Sequence, residues 1–276
     1  MNRLLSSHFT RMWKSKTLMS CTVGMMLFAG AMLLVIYRGT RMRETSLQLN
    51  ELPIFLFTIV IGGFLAAFVS LFLGTEYSDG TIRNKLIVGH RKSGLYLSNL
   101  LISFVAGLIF AIVYIVIVMV GSSLVLASFE VDWNMILLSL TSSVLLIMAY
   151  ASFYTMMSML FQNKAAVAVT TLITFFVLLI MATQLQSRLS AEEFYLVDTL
   201  TDTGKYVQKS VANHNYPRGT ERAVYQFLYD FLPTGQANQI AMNNVADFVK
   251  LWIYSLVITV MTTVIGLLGF GKKDIK

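Results

Sequence analysis

With one cysteine, three histidines and 13% charged residues, this 276-residue chain has little of what secreted domains and most enzymes rely on. The lone cysteine, Cys21, excludes an intrachain disulfide and reads as a packing residue. His8, His90 and His214 are far apart, and no metal-ligand spacing occurs. A phosphate-binding loop is approached only by Gly266, Gly271 and Lys272, and there Lys273 stands where Ser or Thr must hold magnesium. No G-x-S-x-G nucleophile motif is present. The expectation is a chain with no catalytic residue, metal or cofactor of its own. The charged fraction is about half the roughly 25% of a soluble domain. Inside the long apolar runs the only charge is Lys250, near an end, which argues against a proton- or sodium-coupled carrier, since a relay needs titratable groups at membrane depth.

What is abundant is apolar sequence, 56% of the chain. Six runs, Thr17–Tyr37, Pro53–Leu73, Leu95–Ala127, Met135–Phe161, Ala165–Leu185 and Phe248–Phe270, each reach the ~20 residues that cross a bilayer as a helix. None alternates as a barrel strand does, so the fold class expected is an all-α integral membrane protein with six transmembrane helices. The third run is too long for one bilayer and should tilt or protrude. Residues 1–16 form an amphipathic segment. Leu4, Leu5, Phe9, Met12 and Trp13 share one face, suited to the headgroup layer or to packing on the protein's own surface. The net charge of +7 fits a positive-inside membrane protein better than a nucleic-acid binder, because the basic residues cluster at span ends.

Arg3, Arg11, Lys14 and Lys16, then Arg83, Lys85, Arg91 and Lys92, then Lys164, and finally Lys272, Lys273 and Lys276 alternate onto one side. Both termini are therefore expected to be cytoplasmic, although Arg38, Arg41 and Arg43 after the first run run against the rule. The organisation expected is an interfacial helix at 1–16, five spans within 17–185 with a cytoplasmic segment at 75–94, a large extracellular loop at 186–247, a sixth span at 248–270 and a tail at 271–276. In the loop, Asn213–Gly219 is a turn cluster. Val224, Phe227, Leu228 and Phe231 have helical spacing, and Pro233 should stop that helix. Thr234 or a residue near it could cap a further short helix.

The segment Gly74–Tyr96 is polar and basic yet helical in pattern. Ser78 or Asp79 is a cap candidate for a helix opening at Gly80 and Thr81. Ile82, Leu86 and Ile87 give it an apolar face, and Gly89 a stop. The stretch "EYSDGTIRNKLIVGHRKSGLYLSNL" resembles the cytoplasmic loop of ABC-2-type transporter permeases through Glu76, Gly80, Thr81, Ile82, Arg83, Asn84, Lys85, Leu86, Ile87, Gly89, Arg91, Tyr96, Leu97 and Ser98. "FLYDFLPTGQANQI", Phe227–Ile240, is similar to the segment before the last span of Gram-positive members. The resemblance implies the permease subunit of an ABC exporter in a bacterial plasma membrane. Glu76, Gly80, Thr81, Ile82, Arg83, Lys85 and Leu86 would then form a coupling helix docked on a separate ATPase, which carries ATP and Mg2+. Two such ATPase subunits, a second permease (identical or paralogous) and membrane lipid are the implied partners, with no nucleic acid. The implied substrate is amphipathic or hydrophobic: a peptide, a drug or a lipid-like molecule. Phe57, Phe64, Phe68, Thr170, Thr174 and Phe175 are candidates for its path, or simply helix-packing residues. The rival expectation is a non-transporting sensor or immunity protein that binds an extracellular ligand through 186–247.

Overall fold

The computed structural model describes residues 2–42, 54–125, 132–161, 163–200, 206–214 and 216–273. The elements run α1 Asn2–Trp13, α2 Lys16–Met42, α3 Phe57–Ser78, α4 Thr81–Ile87, α5 Lys92–Val125, α6 Trp133–Leu160, α7 Lys164–Leu189, β1 Phe194–Leu200, β2 Tyr206–Ala212, α8 Thr220–Phe231, α9 Pro233–Ala241 and α10 Phe248–Lys272. Six of them, α2, α3, α5, α6, α7 and α10, are long and apolar enough to cross a membrane, which is the architecture of a multi-pass membrane protein. At ~1.5 Å per residue the 34 residues of α5 exceed a ~30 Å hydrocarbon core. Arg43, the acidic link around Glu130 and Lys276 lie outside the described residues.

The span α3 is the hub of the bundle, packing against α2, α5, α6, α7 and α9. Against α7 the approach is close because Gly62 and Gly63 present no side chain, and the Phe175 ring packs against both. Such small-residue contacts let helices approach where lipid offers no hydrophobic driving force between them. Hydroxyls supply the remaining interhelical glue. Thr155 donates to Ser103 Oγ at 3.0 Å, Thr262 to Ser152 Oγ at 2.8 Å, and Trp252 Nε1 to Ser142 Oγ at 2.8 Å. These bonds tie α6 to α5 and α10. The outer spans leave apolar stripes uncovered, including Val169, Ile173, Phe176, Val177 and Ile180 on α7. Those stripes suit contact with lipid tails.

Opposite the α1 end, the chain folds into more than helices. The strands β1 and β2 pair antiparallel from Phe194↔Ala212 to Leu200↔Tyr206, a hairpin that the helical reading did not anticipate. Arg222 donates to the Leu189 carbonyl, and Phe227 and Phe231 both pack on Tyr254, which fixes α8 against α7 and α10. Pro233 ends α8 as expected and also opens α9, where a first-turn proline gives up no ladder bond. Thr234 does not cap α9; Leu232 holds that position, and the Thr234 hydroxyl donates to the Leu178 carbonyl of α7 instead.

The helix α9 is polar yet buried from Thr234 to Ile240. Its amides are satisfied rather than excluded. Gln236 bonds the Asp230 carbonyl and Ser255, Gln239 bonds the Asp230 carboxylate, and the Ala237 carbonyl accepts from Thr58. A Cβ at Gly235 would run into the backbone carbonyl of Tyr229, which cannot swing aside. Gly235→Ala is therefore expected to destabilise the fold by about 1–3 kcal/mol. Gly94→Ala, where a Cβ meets nothing within 4 Å, should not. Thermal unfolding of the two purified variants in detergent checks this pair.

Candidate functional site

The segment that links α3 to α5 is organised around a carboxylate. Because α3 continues past Leu73 to Ser78, Glu76 belongs to the last turn of a span rather than to the loop after it. It is fully buried. A negative charge at a helix C-terminus faces the unfavourable end of the helix dipole, so it needs cations nearby. Arg11 of α1 contacts Glu76 Oε1 directly, and its other amino group donates to the Phe72 carbonyl at 2.9 Å and to Thr75 Oγ1 at 2.8 Å. Lys85 of α4 donates to the same carboxylate oxygen at 2.8 Å. Asn99 of α5 reaches the second oxygen at 3.3 Å. One side chain thus joins α1, α3, α4 and α5.

His8 completes the cluster. Lys85 Nζ lies 2.9 Å from His8 Nε2. An ammonium only donates, so Nε2 accepts and the ring carries its proton on Nδ1. Burial drives the His8 pKa from 6.5 down to about 4; the Glu76 carboxylate opposes that shift, and Lys85 and Arg11 add to it. The folded pKa is depressed, so the unfolded chain takes up the proton first. Stability is then lost as pH falls from about 6.5 toward about 4. His8→Gln, neutral throughout, should flatten that part of the curve. Parallel unfolding titrations of the two proteins check the difference.

Neighbouring residues extend the junction to α6 and α10. The Tyr77 hydroxyl donates to the Met159 carbonyl at 2.6 Å. Lys273 sits over the Tyr77 ring and donates to the Met159 and Leu160 carbonyls, capping α6. Lys92 does the same for α10 through the carbonyls of Gly271 and Lys273. Several basic residues of this end are therefore fixed by carbonyls and a carboxylate rather than simply solvated. These contacts also place α1 and the end of α10 at the same end of the bundle.

The short helix α4 begins differently from the expected cap. Asp79 closes α3, and Gly80 occupies the N-cap of α4 with φ +65°, a left-handed turn that neither Ser78 nor Asp79 caps. Thr81 Oγ1 returns to the Glu76 carbonyl at 3.0 Å. Gly89, with φ +96°, ends the helix as expected. The inward and outward faces also differ from expectation. Ile82 is 1% exposed and Leu86 packs against the core, so this apolar pair is spent on the chain's own interior. Glu76 and Lys85 are tied to one another. The residues left facing outward are Arg83, Asn84, Ile87 and Val88, with Ile87 72% and Val88 78% exposed.

Of the six substrate-path candidates, Phe64 and Phe68 share the Phe110 ring. Phe57 lies tilted against Tyr114, Phe68 lies between Phe72 and Phe110, Phe64 packs near Phe110, and Phe175 covers Gly62 and Gly63. All four rings make contacts within this chain. Thr170 is exposed on α7 and Thr174 half-buried. At the end away from α1, a cavity of about 230 Å3 is lined by Gln186, Gln226, Tyr229, Asn238, Gln239 and Asn244 among others. His8, Arg11 and Asn99 were missed by the sequence reading as members of the α3–α5 junction. In the sequence Arg11 stands only as one of the basic residues on the N-terminal side, and nothing in the spacing ties it to a carboxylate sixty-five positions away.

No family model matches the chain, and no curated protein matches it.

Proposed function

We propose that this chain is the transmembrane subunit of an ATP-driven ABC exporter in a bacterial plasma membrane, with the α1 end facing the cytoplasm. In this reading a separate ATPase, in two copies, binds ATP and Mg2+, and a second permease subunit completes the pore. The observation that carries the reading is the construction of α4. It is a short helix held at both ends by tight glycine turns, exposed on one face and pinned on the other to a carboxylate shared by α1, α3 and α5. A displacement of its outer face is passed to two spans and to α1 together, which is what a lever needs. The resemblance of Glu76–Ser98 and Phe227–Ile240 to ABC-2-type permeases supports the same reading, as does the basic character of the α1 end.

The docking face in this proposal is Arg83, Asn84, Ile87 and Val88, not Ile82 and Leu86. The substrate class, an amphipathic or hydrophobic molecule, rests on the resemblance. The test is co-expression with an ATPase subunit encoded in a neighbouring reading frame. A stable complex that hydrolyses ATP in lipid vesicles, faster with substrate present, supports the proposal. A neighbourhood without any Walker-type ATPase gene, together with a chain that purifies alone, refutes it.

A sensor or immunity role is favoured by a different observation, the amide-lined cavity beside α9. Under that reading, Asn238→Ala and Gln239→Ala would abolish response to an extracellular ligand with no ATPase involved. A response that requires ATP hydrolysis by a partner counts against it.

A further inference from the structure

We propose that the groove between α1, the start of α2 and the end of α3 is a seat for the phosphate-bearing headgroup of an anionic lipid. The groove has a volume of about 650 Å3 and is open to solvent. Lys14, Lys16 and the outer edge of Arg11 contribute cations to its wall, Thr10 and Ser15 contribute hydroxyls, and Phe72 gives it an apolar floor. Among the described residues, no acidic side chain lines it. Arg11 already bonds Glu76, Phe72 and Thr75, whereas Lys14 and Lys16 are exposed and have no carboxylate partner among the described residues. Ser15 already accepts the Leu18 N–H at 3.1 Å, so the start of α2 is capped and the lysines carry the attraction.

The surroundings identify the anion as a lipid rather than a soluble phosphate. Met19, Val23, Met26 and Leu27 are exposed on α2, spaced three, seven, ten and eleven residues beyond Lys16. They form an apolar stripe descending from the groove on the Lys16 side, where acyl chains would lie. Trp13, 61% exposed, directly precedes Lys14 of the groove wall and suits an aromatic anchor at headgroup depth. Basic pockets between helices at a membrane surface suit anionic headgroups for this reason. Through Arg11 an occupied groove is one side chain from Glu76 and hence from α4. The inference depends on membrane insertion of the spans and not on any ATPase partner.

Trp13 provides the readout, in a Trp133→Phe/Trp252→Phe background that leaves it as the sole tryptophan. The full chain is placed in phosphatidylcholine nanodiscs in which about a tenth of the lipid is brominated phosphatidylglycerol or, in parallel, brominated phosphatidylcholine. Phosphatidylglycerol is expected to quench Trp13 with about a fivefold or greater preference, roughly the factor that one lysine contributes near an anionic surface. Lys14→Gln/Lys16→Gln should bring the ratio to one. Thr10→Phe fills the groove without changing any charge and should do so as well. Added inorganic phosphate should leave the preference intact. Equal quenching by the two lipids overturns the proposal. So does a full preference in Thr10→Phe, which would mean surface charge alone, and so does loss of the preference to inorganic phosphate, which would mean a site for a soluble anion. Size-exclusion profiles establish that each variant is folded before it is scored.

Discussion

Glu76→Ala is expected to be among the most destabilising single substitutions in the protein, with little or no monodisperse material recovered in detergent. The carboxylate is buried and holds Arg11, Lys85 and Asn99. Its removal leaves two cations beside each other, one of them also against His8, with no other acidic side chain paired with either among the described residues. Breaking a buried ion pair from one side costs about 3–5 kcal/mol, a large fraction of the 5–15 kcal/mol that holds a typical fold. Because one oxygen serves both cations, the loss should not be divisible between them. Arg11→Met and Lys85→Met should each cost less than Glu76→Ala, since either change leaves the carboxylate one cation. The triple variant Glu76→Leu/Arg11→Met/Lys85→Met should recover much of the stability, as apolar replacement of whole buried ion clusters can. Thermal unfolding of this set is the check. A Glu76→Ala protein as stable as the parent would mean that the cluster does not hold the four helices together.

The second large effect separates the two faces of α4. Ile82→Asp should abolish folding, because it buries an uncompensated charge within the chain at a position 1% exposed. Ile87→Asp/Val88→Asp should leave unfolding unchanged, since both side chains already face water. Under the proposed function this double variant should still lose its ATPase subunit. Two aspartates in a desolvated contact cost several kcal/mol, and ~1.4 kcal/mol is already tenfold in affinity, so a fall of a hundredfold or more is expected. Arg83→Ala should do less, because rim pairs contribute only about 0–1 kcal/mol. Co-purification of the two subunits at defined concentration reads this out.

The spans were legible in the sequence because hydrophobic length alone determines them. Each observed span overlaps its apolar run, and the disagreements are at the ends, where polar residues continue a helix. The extension of α3 from Leu73 to Ser78 matters most, since it turns Glu76 from a loop residue into a buried one. The hairpin was missed although Phe194–Leu200 and Tyr206–Ala212 are rich in aromatic and β-branched residues on either side of a polar stretch of sequence. The position of α4 was legible from its two glycines, but its orientation was not. Ile82, Leu86 and Ile87 cannot all lie on one narrow stripe of a seven-residue helix, and only the partner helices decide which of them is covered. The Glu76 cluster was the least legible part, since Arg11, Lys85 and Asn99 come from three separate elements. The polar yet buried α9 was hidden for a similar reason: its amides are compatible with burial only because Asp230, Ser255 and Thr58 meet them.

The proposal that an ATPase drives this chain through the outward face of α4 is tested most directly by site-specific crosslinking. In a Cys21→Ala background, Val88→Cys and Val224→Cys each place one thiol on an exposed surface, at opposite ends of the bundle. Each is loaded with a benzophenone maleimide and irradiated in the intact complex with the ATPase subunit. Val88→Cys should give a covalent adduct with the ATPase, and Val224→Cys should give none. An assembled complex in which Val88→Cys remains uncrosslinked, or in which Val224→Cys captures the ATPase, would contradict the account.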